Sequence, residues 1–234
     1  MAEEIFRLPR AEVKLMFHVK QQQAFAVAGG RPPLPSWLRQ AAKGKALYCA
    51  DRGAEYCLSA GLVPAAVYGD CDSASRDVYS QMEQLGGHIN LFSTEKDDTD
   101  LQLLLDCIPA AHLTVSGVWG GRFDHLYSNV FSLLAYKLKN SCQVIMADER
   151  ETMVLLAEGE AAEACFAAGA EPKAISLLPL EQCAEADISG VHWPLSGAKL
   201  ELLRPYAVSN VKDGSGAVKC RCRKGSLGLY FYFE

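Results

Sequence analysis

Residues 65–73 read Ala65-Ala66-Val67-Tyr68-Gly69-Asp70-Cys71-Asp72-Ser73, and the fold class follows from them. An unbroken apolar run has the character of a strand buried on both faces, as in a parallel sheet. Gly69 lets the chain turn where the run ends. Asp70 and Asp72 are therefore expected to project from the carboxyl edge of the sheet, into the crevice where open α/β sheets bind ligands. A second acidic group, Asp97, Asp98 and Asp100 in Lys96-Asp97-Asp98-Thr99-Asp100, also follows an apolar run. Hard carboxylate oxygens grouped in this way suit Mg²⁺ on phosphates.

Outward from this stretch the same alternation continues. Apolar runs at 24–28, 45–50, 65–68, 88–92, 112–118 and 142–147 read as strands. The intervals are long enough for helices. Ser73-Ala74-Ser75 can cap one through Leu85 that stops at Gly86-Gly87, Thr99 can cap one over 100–108, and Asp124 can start one reaching Leu138. Such βα alternation predicts an α/β domain over 24–149 with a doubly wound, mostly parallel sheet. Past Glu149 short alternating runs at 152–157, 174–178, 217–221 and 227–233 are separated by Gly, Pro, Asn and Asp. They predict antiparallel strands in a smaller C-terminal all-β domain over 150–234, sandwich- or barrel-like. Residues 1–23 fit neither pattern and are expected to form an irregular or strand-swapped extension.

The 234 residues are 50% hydrophobic, enough for a substantial core, and the formal charge is -5. No cluster of Lys and Arg of the kind a nucleic-acid binder needs is present, so nucleic acid is not an expected partner. The nine cysteines are scattered through core-like runs and read as reduced, buried thiols rather than a disulfide framework. The first ten residues lack the apolar core of a signal peptide, and no run reaches the roughly 18 apolar residues of a membrane span. A cytoplasmic protein without membrane contact is expected.

Turns rich in glycine or acid follow five of the predicted strands: Gly29-Gly30-Arg31, Asp51-Arg52-Gly53, the Asp70/Asp72 pair, the Asp97 to Asp100 group, and Gly120-Gly121-Arg122-Phe123-Asp124-His125. In an open parallel sheet they converge on one edge. Gly120-Gly121 allows backbone N–H groups to approach an anion, and the Arg122 fork can hold two phosphate oxygens. The chain has neither the GxxxxGK[ST] P-loop nor the GxGxxG fingerprint, so phosphates must be held in another way. Taken singly, Asp70 and Asp72 also suit a turn or helix cap, Trp193 suits a core position, and Ser209-Asn210 suits a turn.

Taken together, the motifs resemble those of the thiamine pyrophosphokinase family. The family order ADGGA, GDFDS, KDxTD, GGRxDH with a following Asn, GLxW and SN is matched here by Ala50-Asp51-Arg52-Gly53-Ala54, GDCDS from Gly69, KDDTD from Lys96, GGRFDH from Gly120 with Asn129, Gly190-Val191-His192-Trp193, and Ser209-Asn210. Arg52 replaces a usual glycine and Cys71 a common phenylalanine. Neither change removes a ligand.

The resemblance implies a Mg²⁺-dependent transfer of pyrophosphate from ATP to the hydroxyl of thiamine, giving thiamine diphosphate and AMP. It also implies a homodimer with thiamine bound between the α/β and β halves. Asp70, Asp72 and Asp100 would be metal ligands. Asp72, Asp100, Arg122 and Asp124 would form the catalytic set. Gly29, Gly30, Asp51, Asp97, Thr99, Gly121, Arg122 and His125 would contact ATP, and Trp193, Ser209 and Asn210 would contact thiamine. The rival readings are a related pyrophosphokinase for another small alcohol and a thiamine- or nucleotide-sensing protein on the same scaffold.

Overall fold

The computed structural model describes residues 2–17, 22–69, 76–92, 97–108, 112–214 and 216–233. Asp70, Asp72 and the expected cap at residues 73–75 lie outside the described residues. In chain order the elements are β1 (Ala2–Leu8), β2 (Ala11–Phe17), β3 (Gln23–Val27), α1 (Pro35–Ala41), β4 (Ala46–Ala50), α2 (Gly53–Ser59), β5 (Ala66–Gly69), α3 (Arg76–Gln84), β6 (His88–Leu91), α4 (Asp100–Cys107), β7 (His112–Ser116), α5 (Phe123–Asn140), β8 (Val144–Ala147), β9 (Glu151–Ala157), β10 (Ala161–Phe166), β11 (Ala174–Pro179), β12 (Cys183–Ser189), β13 (Leu195–Glu201), β14 (Val218–Lys224) and β15 (Ser226–Tyr232). Mixed α/β structure therefore gathers in two compact units, Gln21–Asp148 and Met1–Lys20 with Glu149–Glu234.

In the unit Gln21–Asp148 the strand order is β8-β7-β3-β4-β5-β6, and every pairing between these neighbours is parallel. Strands β5, β7 and β8 are buried along their whole length; β5 and β8 accordingly read as continuous apolar runs, while β7 also buries His112, Thr114 and Ser116. The chain order reverses between β3 and β7: β4 to β6 build outward on one side, while β7 and β8 build on the other. Crevices at the carboxyl ends of strands open at such a reversal. Register brings the ends together, since Val27 pairs with both Cys49 and Ser116.

Local sequence accounts for the helix ends. Thr99 forms a capping box with Gln102: Thr99 Oγ1 accepts from the Gln102 N–H at 3.3 Å, and Gln102 Oε1 accepts from the Thr99 N–H at 2.8 Å. Pro35 opens α1, where its missing donor costs nothing, and α5 closes on Ser141 in the left-handed conformation. Beneath β7, a buried polar group joins three segments. His112 Nδ1 accepts from the Gln143 N–H at 2.9 Å, and Lys137 Nζ donates to the Cys142 carbonyl at 3.0 Å and to Gln143 Oε1 at 3.3 Å.

The other unit contains a six-stranded antiparallel sheet, β1-β2-β10-β14-β12-β13, and an antiparallel set β11-β15-β9. On β14, Val218, Cys220 and Cys222 point inward while Lys219, Arg221 and Arg223 point out, the period of two that one buried face imposes. Residues expected to form an extension instead contribute a hairpin, and β2 pairs with β10 from Ala11–Phe166 to Met16–Ala161. All eight described cysteines are free, but Cys107 and Cys165 are exposed, so the thiols are not uniformly buried. No described helix is long and apolar enough to cross a membrane.

Candidate active site

A cavity of about 450 Å³ opens at the carboxyl edge of the parallel sheet, where the strand order reverses. Its lining includes Gly29 and Gly30 after β3, Asp51 and Arg52 after β4, Thr99 and Asp100 at the start of α4, and Gly121, Arg122, His125 and Asn129 around the start of α5. Turns that the sequence spreads over a hundred residues thus share one surface.

The glycine turn after β3 is tied down from several directions. Its Gly30 N–H donates to the Gly117 carbonyl and the Arg31 N–H to the Trp119 carbonyl, each at 2.6 Å. Tyr56 on α2 donates its hydroxyl to the Gly30 carbonyl at 2.7 Å, and burial pushes this phenol above its ordinary pKa. Arg31 Nε and Nη2 reach one oxygen of Asp148 at 2.9 and 2.6 Å, and the Asp148 side chain is only 1% exposed. A side chain at Gly30 would put its first carbon 2.5 Å from the Gly117 oxygen, and one at Gly29 would lie 2.6 Å from Asp51 Oδ2. Glycine is needed at position 30 for the two backbone segments to pass this close, while at position 29 a side chain would displace the Asp51 carboxylate.

Asp51 stands just past the end of β4 with φ of 51°, a left-handed conformation that aspartate tolerates better than most residues. Its N–H donates to the Tyr68 carbonyl at 2.8 Å, which ties the β4 and β5 ends together directly before Asp70 and Asp72. Thr99 reaches the cavity while its oxygen also serves as the helix cap. Asp97 is exposed and is not part of the lining.

Asp124 does not line the cavity either. It binds the Arg122 guanidinium through two contacts, Nε to Oδ1 at 3.1 Å and Nη2 to Oδ2 at 2.5 Å, and Oδ1 also accepts from the His125 N–H at 3.0 Å. The Arg122 hydrogen bond holds the Asp124 carboxyl below its usual range, and Asp124 in turn pushes Arg122 up. Among the described residues, no group of three or more His, Cys, Asp or Glu comes together to hold a metal ion. The Asp51 and Asp100 carboxylates nevertheless give the cavity the hard oxygen character that Mg²⁺ takes.

In the other unit a small apolar pocket of about 150 Å³ is lined by Ile175, Leu177, Ile188, Trp193, Tyr206 and Asn210, among others. Trp193 is 60% exposed and meets the His192 ring edge-on at 4.5 Å. Ser209 falls outside the lining, and its N–H donates to Ser176 Oγ at 3.1 Å. The Asn210 amide is engaged with the backbone: Oδ1 accepts from the Trp193 N–H at 3.1 Å and Nδ2 donates to the Trp193 carbonyl at 2.8 Å.

Sequence reasoning did not single out Tyr56, Asp148 or the Arg31 side chain. Asp148 carried a usable signal, because it directly follows the last parallel strand. Tyr56, inside a short helix, carried none.

Two family models match the chain: thiamin pyrophosphokinase, catalytic domain, over residues 38–146, and thiamin pyrophosphokinase, vitamin B1 binding domain, over residues 166–227. The chain belongs to the thiamin pyrophosphokinase family. Thiamine pyrophosphokinase of Bacillus subtilis is 27% identical over 164 residues, 68% of this chain and 75% of that protein. Thiamine pyrophosphokinase 1 of Oryza sativa is 27% identical over 160 residues, 64% of this chain and 60% of that protein. In fold, the Bacillus subtilis thiamine pyrophosphokinase crystal structure is similar at a TM-score of 0.78 and 23% identity, covering 91% of this chain and all of that one. Thiamin pyrophosphokinase from Candida albicans aligns at a TM-score of 0.74 and 15% identity, covering 100% and 99% of the two chains. Within the family frame the cavity lining from Ala50 to Asn129 falls in the catalytic match, with Ala28, Gly29 and Gly30 preceding it, and the Trp193 pocket falls in the vitamin B1-binding match.

Proposed function

We propose that this chain transfers pyrophosphate from ATP to the hydroxyl of thiamine, releasing AMP and thiamine diphosphate. The observation that carries the reading is the meeting of Gly29, Asp51, Asp100, Gly121 and Arg122 around one cavity at the strand-order reversal, in a chain whose two halves match the family's catalytic and vitamin B1-binding domains. In this reading a doubly wound ATP domain spans 24–149. The sandwich-like thiamine domain of 150–234 is completed by strands β1 and β2.

Attack on the β-phosphorus requires the triphosphate to be held in line with the thiamine hydroxyl and the charge on the departing AMP oxygen to be stabilised. Gly29, Gly30 and Gly121 let the main chain approach the nucleotide. Arg122 turns from Asp124 to the phosphates, which costs little because the pair it leaves is exposed and screened. Asp124, released from that pair, can position the incoming substrate, with His125 supporting the loop. Asp70, Asp72 and Asp100 are the proposed Mg²⁺ ligands, with Asp51, Asp97 and Thr99 around them. Bound Mg²⁺ would neutralise triphosphate charge.

Trp193 offers an aromatic face to the cationic thiazolium, an attraction worth about 0.5–2 kcal/mol. Ser209 is proposed as a polar neighbour of the aminopyrimidine, and Asn210 as the residue that holds Trp193 beside it. Homodimer formation and a cytoplasmic location belong to the same reading. Incubation of the pure protein with ATP, Mg²⁺ and thiamine tests it: AMP appearing with thiamine diphosphate supports the reading, while ADP with thiamine monophosphate, or no turnover, rejects it.

A further inference from the structure

Arg52 lines the same cavity as Arg122, yet the two cations are held differently. Arg122 is pinned by Asp124 through two hydrogen bonds. Among the described residues, the Arg52 guanidinium makes a loose contact with Glu55, Nε to Oε2 at 4.0 Å, and both side chains are substantially exposed. A screened pair of this length contributes little and leaves the arginine ready to be redirected.

Their placement across the sheet matters more. Arg52 follows β4 and Arg122 follows β7, and these strands flank β3 on opposite sides. Neighbouring strands are about 4.8 Å apart, so the strands β4 and β7 that lead into the two arginine-bearing turns lie roughly 10 Å apart. The Gly29-Gly30 turn, which lines the same cavity, follows the β3 strand between them. Two long cationic side chains on either side of a glycine turn match an extended polyanion better than a single phosphate.

We infer that Arg52 is a second phosphate-binding cation of this cavity, gripping the nucleotide's polyphosphate from the β4 side while Arg122 grips it from the β7 side. The inference rests on the ATP reading of the cavity and assigns Arg52 to the phosphates rather than to the base or ribose. Arg52 approaches without first breaking a bidentate pair, so it contributes to capture of the nucleotide before Arg122 turns.

Calorimetric titration of the full chain with ATP and Mg²⁺, without thiamine, tests this, with adenosine as the phosphate-free probe. Arg52→Ala is expected to weaken ATP about tenfold, as loss of one charge-assisted hydrogen bond does. Adenosine binding, the thiamine KM and the melting temperature should not move, and Arg52→Lys should recover part of the ATP affinity. ATP binding by Arg52→Ala within about twofold of wild type overturns the inference. So does a loss of adenosine affinity as large as that for ATP, since Arg52 would then serve the nucleoside. Failure of the wild-type protein to bind ATP instead overturns the reading of the cavity, and the inference with it.

Discussion

Asn210 grips the backbone of Trp193 with both ends of its amide, accepting from the Trp193 N–H at 3.1 Å and donating to its carbonyl at 2.8 Å. The same Oδ1 accepts from the Val211 N–H at 2.9 Å, and the Asn210 main chain pairs with Ile175. An asparagine that would be assigned a direct contact with substrate thus orients the aromatic residue beside the pocket. Three of its hydrogen-bonding positions are taken, so its effect on a ligand passes largely through Trp193.

Replacing Asn210 with alanine should therefore mimic loss of Trp193. Asn210→Ala and Trp193→Ala are each expected to raise the thiamine KM about tenfold while leaving the ATP KM nearly unchanged. In the double variant the two losses should not add, because both act through one ring. Additive losses in steady-state kinetics would show that Asn210 contacts thiamine independently.

Arg31 and Asp148 are 117 positions apart, and the Asp148 carboxylate is almost fully buried. Arg31→Ala removes the guanidinium from a carboxylate that water reaches poorly, a loss worth about 3 kcal/mol. Asp148→Asn keeps the shape and removes the charge, so it should cost less. Chemical denaturation of the two variants provides the comparison, and equal or reversed losses would contradict this account of the pair. Because Arg31 also anchors the glycine turn, the ATP KM should rise in Arg31→Ala even where the protein remains folded.

The acids proposed to hold Mg²⁺ should separate folding from turnover. Asp72→Asn and Asp100→Asn are expected to keep the far-ultraviolet circular dichroism and melting temperature of the wild type. The same changes should lower kcat by at least about a hundredfold, since the metal's stabilisation of developing charge is worth several kcal/mol. Asp98→Asn, on an exposed residue outside the cavity lining, serves as the control and should be close to wild type. Wild-type kcat in both Asp72→Asn and Asp100→Asn would remove these residues from the metal site.

The parallel unit is legible in the sequence because most of its strands are buried, so β3, β5 and β8 read as apolar runs that stop at a turn, while the edge strand β6 is largely exposed. Phe25, Val67 and Val144 are completely buried on such runs. Strands β10 and β12 escape the same reading. Their inward positions are Ala162, Ala164, Ala184, Ala186 and Ile188, and alanine carries little strand signal. The β1–β2 hairpin alternates visibly, with Phe6, Val13 and Leu15 buried, but its partner strand β10 lies about 150 residues on, beyond any local pattern. At the site, glycines and acids announce themselves through turn chemistry. Tyr56, Arg31 and Asp148 act through contacts made only after folding, and the amide of Asn210 shows its role only once Trp193 is in place.

Lys45 yields a prediction with a defined pH window. Its ammonium donates to the Ala41 carbonyl at 2.8 Å and lies 5.4 Å from the centre of the Phe25 ring. Burial pushes its pKa down from 10.5 to about 8. Below pH 8 the native state carries a charge it has partly desolvated. Between pH 8 and 10.5 the native protein has released this proton while the unfolded chain still holds it. The unfolded state then binds more protons, so stability rises with pH across that window. Relative to Lys45→Met, which has no proton to lose, the wild type should gain stability between pH 7 and pH 10. Urea unfolding of both proteins at each pH measures the difference, which cancels other groups titrating in the same range. A gap between the two proteins that stays constant over this interval would mean that the folded environment does not disfavour the Lys45 charge.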